Sequence, residues 1–79
     1  MKTKTKVIEA IRENIQWKGD ITEGMDLIRD LGIDSFDMLM IVNTLEEEFS
    51  IIVEEENLEN LNTVGDVICR LDELISVDV

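Results

Sequence analysis

Residues 35–49 constrain the fold of this chain more than any other stretch. At about 100° per residue, Met38, Ile41, Val42, Leu45 and Phe49 fall within one arc of a helix, wide enough to serve as a core face. Asp34 is a good N-cap for that helix, and Asp37 completes a capping-box pattern with Asp in the place usually held by Glu, so the helix begins at Ser35. Leu31-Gly32-Ile33-Asp34 is then a glycine-containing loop that delivers a serine hydroxyl to the first turn. The free N–H groups of a helix start carry roughly half a positive charge, so a phosphodiester on the Ser35 hydroxyl would lie in a favourable field. Serine is also common at helix starts that have no further role, so position alone does not assign a function.

A second strip on the same helix is surplus to the core. Phe36, Leu39 and Met40 lie roughly opposite the buried arc, beside Asn43 and Glu47, where a two-layer domain cannot cover them. An apolar strip flanked by Asp37, Glu46 and Glu47 reads as a docking surface for basic partners. The alternative is that another helix covers it, with Phe36 turned inward.

The remaining segments supply support. Lys4, Ile8, Ile11 and Ile15, with Val7, predict a scaffold helix over residues 4–17. The connection over 18–33 carries Gly19, Gly24 and Gly32 and is longer than ordinary inter-helix loops, so Ile21, Met25, Leu27, Ile28 and Leu31 are expected to pin it. Ile51, Ile52 and Val53 have strand propensity but no partner, and are read as an extended connector. A short helical turn over 55–61 leads to Thr63, a cap for a last helix to about residue 76 with Val64, Val67, Ile68, Leu71 and Ile75 inward.

With 79 residues, 44% of them hydrophobic and none of them proline, the chain has material for one small domain, residues 1–79, with a thin core. Nineteen acidic against 7 basic residues give a formal net charge of -12, which repels phosphate backbones and anionic lipid; nucleic acid and membrane surfaces are excluded as partners. The basic start, Met1 to Lys6, is followed by no apolar h-region, and no stretch approaches the roughly 20 apolar residues that span a bilayer, so a cytoplasmic protein is expected. The single cysteine, Cys69, allows no internal disulfide and no multi-cysteine metal site, and reads as packing. No calcium-loop pattern occurs among the carboxylates, so no metal is expected. Without histidine there is no Ser-His or Cys-His arrangement and no evident base for Ser35, which argues against a small hydrolase and leaves no catalytic residue.

Asp30-Leu-Gly-Ile-Asp-Ser-Phe-Asp37, followed by Leu45-Glu-Glu-Glu-Phe49 and by Thr63-Val-Gly-Asp-Val67, resembles the acyl carrier proteins over almost the whole chain. The resemblance implies an all-α, four-helix bundle of the acyl-carrier type, with a long loop between helices 1 and 2 and a short third helix. It implies that Ser35, which matches the serine of the family's Gly-x-Asp-Ser-Leu motif, carries 4'-phosphopantetheine donated from coenzyme A by a phosphopantetheinyl transferase. The thiol of that group holds acyl intermediates as thioesters, and the chain acts as a carrier, not an enzyme. In the family a growing acyl chain folds back between the helices.

The same resemblance makes the acidic second helix the face shown to acyl-loading and ketoacyl synthase-type enzymes through their basic patches. A monomer is expected. Asp34, Asp37, Glu46 and Glu47 match acidic positions used there, and Glu55 and Glu59 are further acidic contacts. Three positions depart from the fatty-acid-type pattern: Phe36 replaces Leu, Met40 stands where an acidic residue is usual, and Asn43 where an apolar one is. These departures set a dedicated polyketide, amino-acid or specialised-lipid pathway beside fatty-acid synthesis. The competing function is an acidic helical interaction module with no prosthetic group.

Overall fold

The computed structural model describes residues 3–77, with side chains through residue 75; Met1 and Lys2 of the basic start lie outside the described residues. Its helices are α1 (Thr3–Ile15), α2 (Ser35–Phe49) and α3 (Val64–Val77), and a 3₁₀ turn occupies Glu55–Leu58. Among the described residues, three α-helices and one short 3₁₀ turn stand where four helices are expected, the turn in the place of the short third helix. Glu55–Leu58 is too short to repay the cost of nucleating an α-helix, and its bonds are of the tighter kind, with Asn57 N–H donating to the Glu54 carbonyl and Glu59 N–H to that of Glu56.

Helix α1 stops short of Trp17 because Gln16 takes a left-handed conformation with φ 56°. Trp17 N–H then returns to the Arg12 carbonyl, and its indole Nε1 donates to the carbonyl of Asp20 at 3.1 Å. The buried stripe of α1 is Val7, Ala10 and Ile11, with Ile8 and Ile15 at its edges. Lys4, read as part of that stripe, is instead exposed and pairs with Glu23 at 3.2 Å.

Helix α2 runs over the residues expected of it and ends at Ser50, which adopts φ 56° and returns its N–H to the Glu46 carbonyl. Ile41, Val42 and Leu45 are buried, with Met38 and Phe49 packed beside them. Asn14 ties α2 to α1, its amide nitrogen donating to the Ala10 carbonyl at 2.7 Å and to the Thr44 hydroxyl at 3.1 Å. Thr63 caps α3 as expected: its hydroxyl accepts from Asp66 N–H at 3.1 Å, and Asp66 Oδ2 accepts from Thr63 N–H at 3.0 Å. Val64, Val67 and Leu71 of α3 enter the core, with Ile68 partly buried against it.

The long loop is held against the start of α3 by backbone bonds. Leu27 N–H donates to the Asn62 carbonyl, Val64 N–H to that of Met25 and Gly65 N–H to that of Glu23, all at 2.8 to 3.0 Å. A Cβ at position 65 would stand 3.2 Å from the Glu23 carbonyl oxygen, so glycine permits this approach. Ile21, Leu27, Leu31 and Ile33 are buried beneath the loop and Met25 partly so. Ile28 is not a pin but 72% exposed, because the Asp26 carboxylate accepts the Ile28 and Arg29 N–H groups and turns the chain outward there. Gly32, at φ 68°, makes the following bend that leads into Ile33 and Asp34.

Helix α1 packs against both α2 and α3, whereas α2 and α3 approach each other much less. The space between them is closed by the connector over residues 51–61. Val53, Asn57, Leu58 and Leu61 from that connector face Met38, Ile41, Val42 and Leu45 from α2 and Val67, Arg70 and Leu71 from α3.

Candidate functional site

Ser35 is the first residue of α2 and is exposed. Its place is held by its neighbours: Asp34 Oδ1 accepts from Asp37 N–H at 2.8 Å, and Asp37 Oδ2 accepts from Asp34 N–H at 3.4 Å. This capping box uses the N–H groups of Asp34 and Asp37, and the other N–H groups of the first turn have no partner within the helix. Behind Asp34, Ile33 is buried and its N–H donates to the Leu27 carbonyl at 2.9 Å, so the loop enters the helix from a fixed anchor.

An open cleft of about 650 Å³ begins at Ser35. Its walls are apolar, from Leu27, Ile28, Ile33, Met38, Leu39, Leu58 and Leu61, and Asp34 and Glu55 stand on its rim. Met38, Leu58 and Leu61 also line the space between α2 and α3, which has a volume of about 10 Å³ and so has room for about one water. Three side chains thus separate the cleft beside the serine from the apolar interior.

The surplus strip of α2 is open to solvent. Phe36 is 68% exposed, Leu39 56% and Met40 42%, and Asn43 and Glu47 are exposed beside them; no helix covers them among the described residues. Glu55 and Glu59 are exposed on the connector. Glu46 does other work: it is half-buried, and its Oε2 accepts from Val53 N–H at 2.7 Å, so this carboxylate hooks the connector to α2. Cys69, read as packing, is exposed on α3.

Residues 30–69 contain no Lys or Arg, so the whole of α2, the connector and the cleft rim carry charge of one sign. Two cations of α1 form ion pairs, Lys4 with Glu23 and Lys6 with Glu48 at 2.9 Å. The Glu48 hydrogen bond raises the Lys6 pKa. Asp26 and Asp66 lie below the usual carboxylate range because backbone N–H groups stabilise their charged forms: Arg29 and then Ile28 for Asp26, Asn62 and then Thr63 for Asp66.

Sequence reasoning missed Ile28, Leu58 and Leu61 as walls of the cleft, since only the fold brings loop, connector and α2 together. It also passed over Arg70, whose Nη1 donates to the carbonyls of Asn57 and Glu59. A signal for Arg70 exists, because it is the only basic residue after Arg29.

A hydroxyl held on a helix start at the mouth of an apolar cleft, in a stretch whose charges are all of one sign, suits a protein that presents a covalently attached group to others. The class these features define is a carrier domain. The model of the family described as "Phosphopantetheine attachment site" matches residues 5–71. An acyl carrier protein of Exiguobacterium sibiricum is 39% identical over 84% of this chain and 85% of its own length, and one of Chlamydia muridarum is 43% identical over 68% and 70%. A solved structure from Mycobacterium tuberculosis, which carries a provisional acyl-carrier assignment, superposes with a TM-score of 0.84 at 28% identity, covering 90% of this chain and 96% of that one. The chain belongs to the acyl carrier protein family, and its cofactor is covalently attached phosphopantetheine. Among the described residues no helix is long and apolar enough to cross a membrane.

Proposed function

We propose that the Ser35 hydroxyl oxygen is the attachment point of 4'-phosphopantetheine, and that the protein works by transport and not by catalysis. The observation that carries this reading is the placement of an exposed, capping-box-held hydroxyl at the mouth of a large apolar cleft. The residues fit the group: Ser35 supplies the ester oxygen, the unpartnered N–H groups of the first turn favour a phosphodiester, and the apolar walls of the cleft suit an uncharged chain. When bound, the group supplies the thiol that holds acyl cargo as a thioester. Asp34 and Asp37 hold the serine in place, and the side chains of Met38, Leu58 and Leu61 keep water from the interior. Tethering raises the effective concentration of cargo at each partner enzyme.

The partner face in this reading comprises Asp34, Phe36, Asp37, Leu39, Met40, Asn43 and Glu47 on and before α2, with Glu55 and Glu59 on the connector. Glu46 contributes the carboxylate oxygen left free by Val53. Its partners are the phosphopantetheinyl transferase and acyl-handling enzymes with basic docking patches, and Met40 and Asn43 favour enzymes of a dedicated pathway over those of housekeeping fatty-acid synthesis. A net charge of -12 opposes self-association, which supports a monomer, and residues 1–79 are taken as one carrier domain working in the cytoplasm.

Peptide mapping of the loaded protein tests the assignment. The adduct is expected on the peptide that spans residues 30–37, at Ser35; an adduct at Ser50, or at any threonine, contradicts it.

A further inference from the structure

The interior between α2 and α3 is closed, and one side chain does much to keep it so. At about 10 Å³ it cannot admit an apolar chain from the cleft unless its wall moves. The movable wall is the connector, which has no regular structure beyond the turn at Glu55–Leu58 and none of whose residues over 51–61 is fully buried. Two side chains fasten it from outside: Glu46 at Val53, and Arg70 of α3 at Asn57 and Glu59.

Arg70 combines features that the other fastening lacks. Its aliphatic stem lines the interior, while its guanidinium reaches over the turn to the carbonyls at the far end of the connector. One nitrogen, Nη1, serves both carbonyls, with the Glu59 oxygen at 3.5 Å, and Glu73 lies 3.8 Å from Nε. The side chain is 27% exposed, so water can replace these bonds when they break. No other Lys or Arg follows Arg29 in the chain, and Lys4, Lys6 and Arg12 of α1 are engaged elsewhere, with Glu23, Glu48 and the Gly19 carbonyl.

We propose that Arg70 is the latch of the interior and thereby a specificity-determining residue for cargo length. Cargo too short to pass Met38, Leu58 and Leu61 never meets the latch; longer apolar cargo enters only when the connector lifts off α3. The part of this inference that concerns cargo rests on the carrier reading above, whereas the latch itself is a property of the unloaded chain.

The first test is hydrogen exchange on the unmodified protein and on Arg70→Met, which keeps the stem and removes the donors. Amides of residues 53–59 are expected to exchange on the order of tenfold faster in the variant, the effect of losing about one hydrogen bond from a charged donor. Amides of Ala10 and Ile11 in α1 should not change. Arg70→Lys, with a single donor group, should fall between, and it decides the matter by the same criteria if Arg70→Met does not fold. Unchanged exchange in the connector, or an equal rise in every helix, overturns the proposal. The second test compares cleavage of octanoyl-loaded and acetyl-loaded protein by hydroxylamine, after intact mass has shown that each form is loaded. Removal of the latch should slow cleavage of the octanoyl form severalfold and leave the acetyl form alone; an equal effect on both overturns the role in cargo length. A chain that accepts no prosthetic group fails at the mass step, which contradicts the carrier reading and leaves the latch to be judged by exchange.

Discussion

Asp34 and Asp37 hold each other's backbone across the first turn of α2, through one bond of 2.8 Å and one of 3.4 Å, with Ser35 between them. The shorter bond is the one that Asp34 accepts, so the two aspartates are not equivalent. Asp34→Ala should cost about 0.5–2 kcal/mol in urea unfolding, the usual effect of losing a helix cap, and should slow modification of the neighbouring serine. Asp37→Ala should cost less. Equal losses in the two variants, or none, would show that the box does not position the serine.

Asp26 and Asp66 give the fold a defined acid response. Each has a folded-state pKa below its ordinary value of 3.8, because N–H groups of the loop and of the α3 start stabilise the carboxylate. A depressed carboxylate contributes stability that is present in full above the unfolded pKa and is lost as pH falls through the folded one. Asp26→Asn and Asp66→Asn should therefore lower Tm at neutral pH, and the gap from the parent protein should narrow in melts taken progressively below pH 3.8. Lys6 acts in the opposite sense: raised above 10.5 by Glu48, it contributes stability that is lost only as pH rises past that value.

Much of this was legible in the sequence because its signals are local. The capping pattern of Asp34 and Asp37 fixed the start of α2, apolar spacing separated Ile41, Val42 and Leu45 from Phe36, Leu39 and Met40, and Thr63 announced α3. What was hidden depends on contacts between distant segments or on backbone conformation. Gln16 gives no side-chain warning that it will turn left-handed and end α1. Ile28 looks like a pin by composition, yet the Asp26 turn exposes it on the cleft. Glu46 reads as one more surface carboxylate until the connector folds back to present Val53 N–H to it.

The two faces of α2 differ in what they tolerate. Met40→Glu lies on the exposed face and should move stability by no more than about 0.5 kcal/mol. Ile41→Ala, one position on and 1% exposed, should cost about 2–5 kcal/mol. If the strip is the partner surface, Met40→Glu should also quicken turnover by a housekeeping ketoacyl synthase through its basic patch, an effect that salt weakens. A marked loss of stability in Met40→Glu with no gain in rate would reverse the assignment of faces.

Charge of one sign over residues 30–69 should make the protein sensitive to its ionic surroundings. Self-repulsion destabilises the compact state at low ionic strength, so Tm should climb as sodium chloride or magnesium is added. A Tm indifferent to both would mean that the carboxylates are already too well separated to matter.

The carrier role depends most directly on the chemistry of a single oxygen, and intact-mass spectrometry reads it. The protein and Ser35→Ala are incubated with coenzyme A and a broad-specificity phosphopantetheinyl transferase, beside a control carrier known to be a substrate. The parent chain is predicted to gain the mass of one phosphopantetheine and the variant none, with both equally folded, since the Ser35 side chain is exposed and the capping bonds belong to Asp34 and Asp37. An unchanged parent mass while the control is modified, or a gain in Ser35→Ala equal to that of the parent, would contradict the assignment.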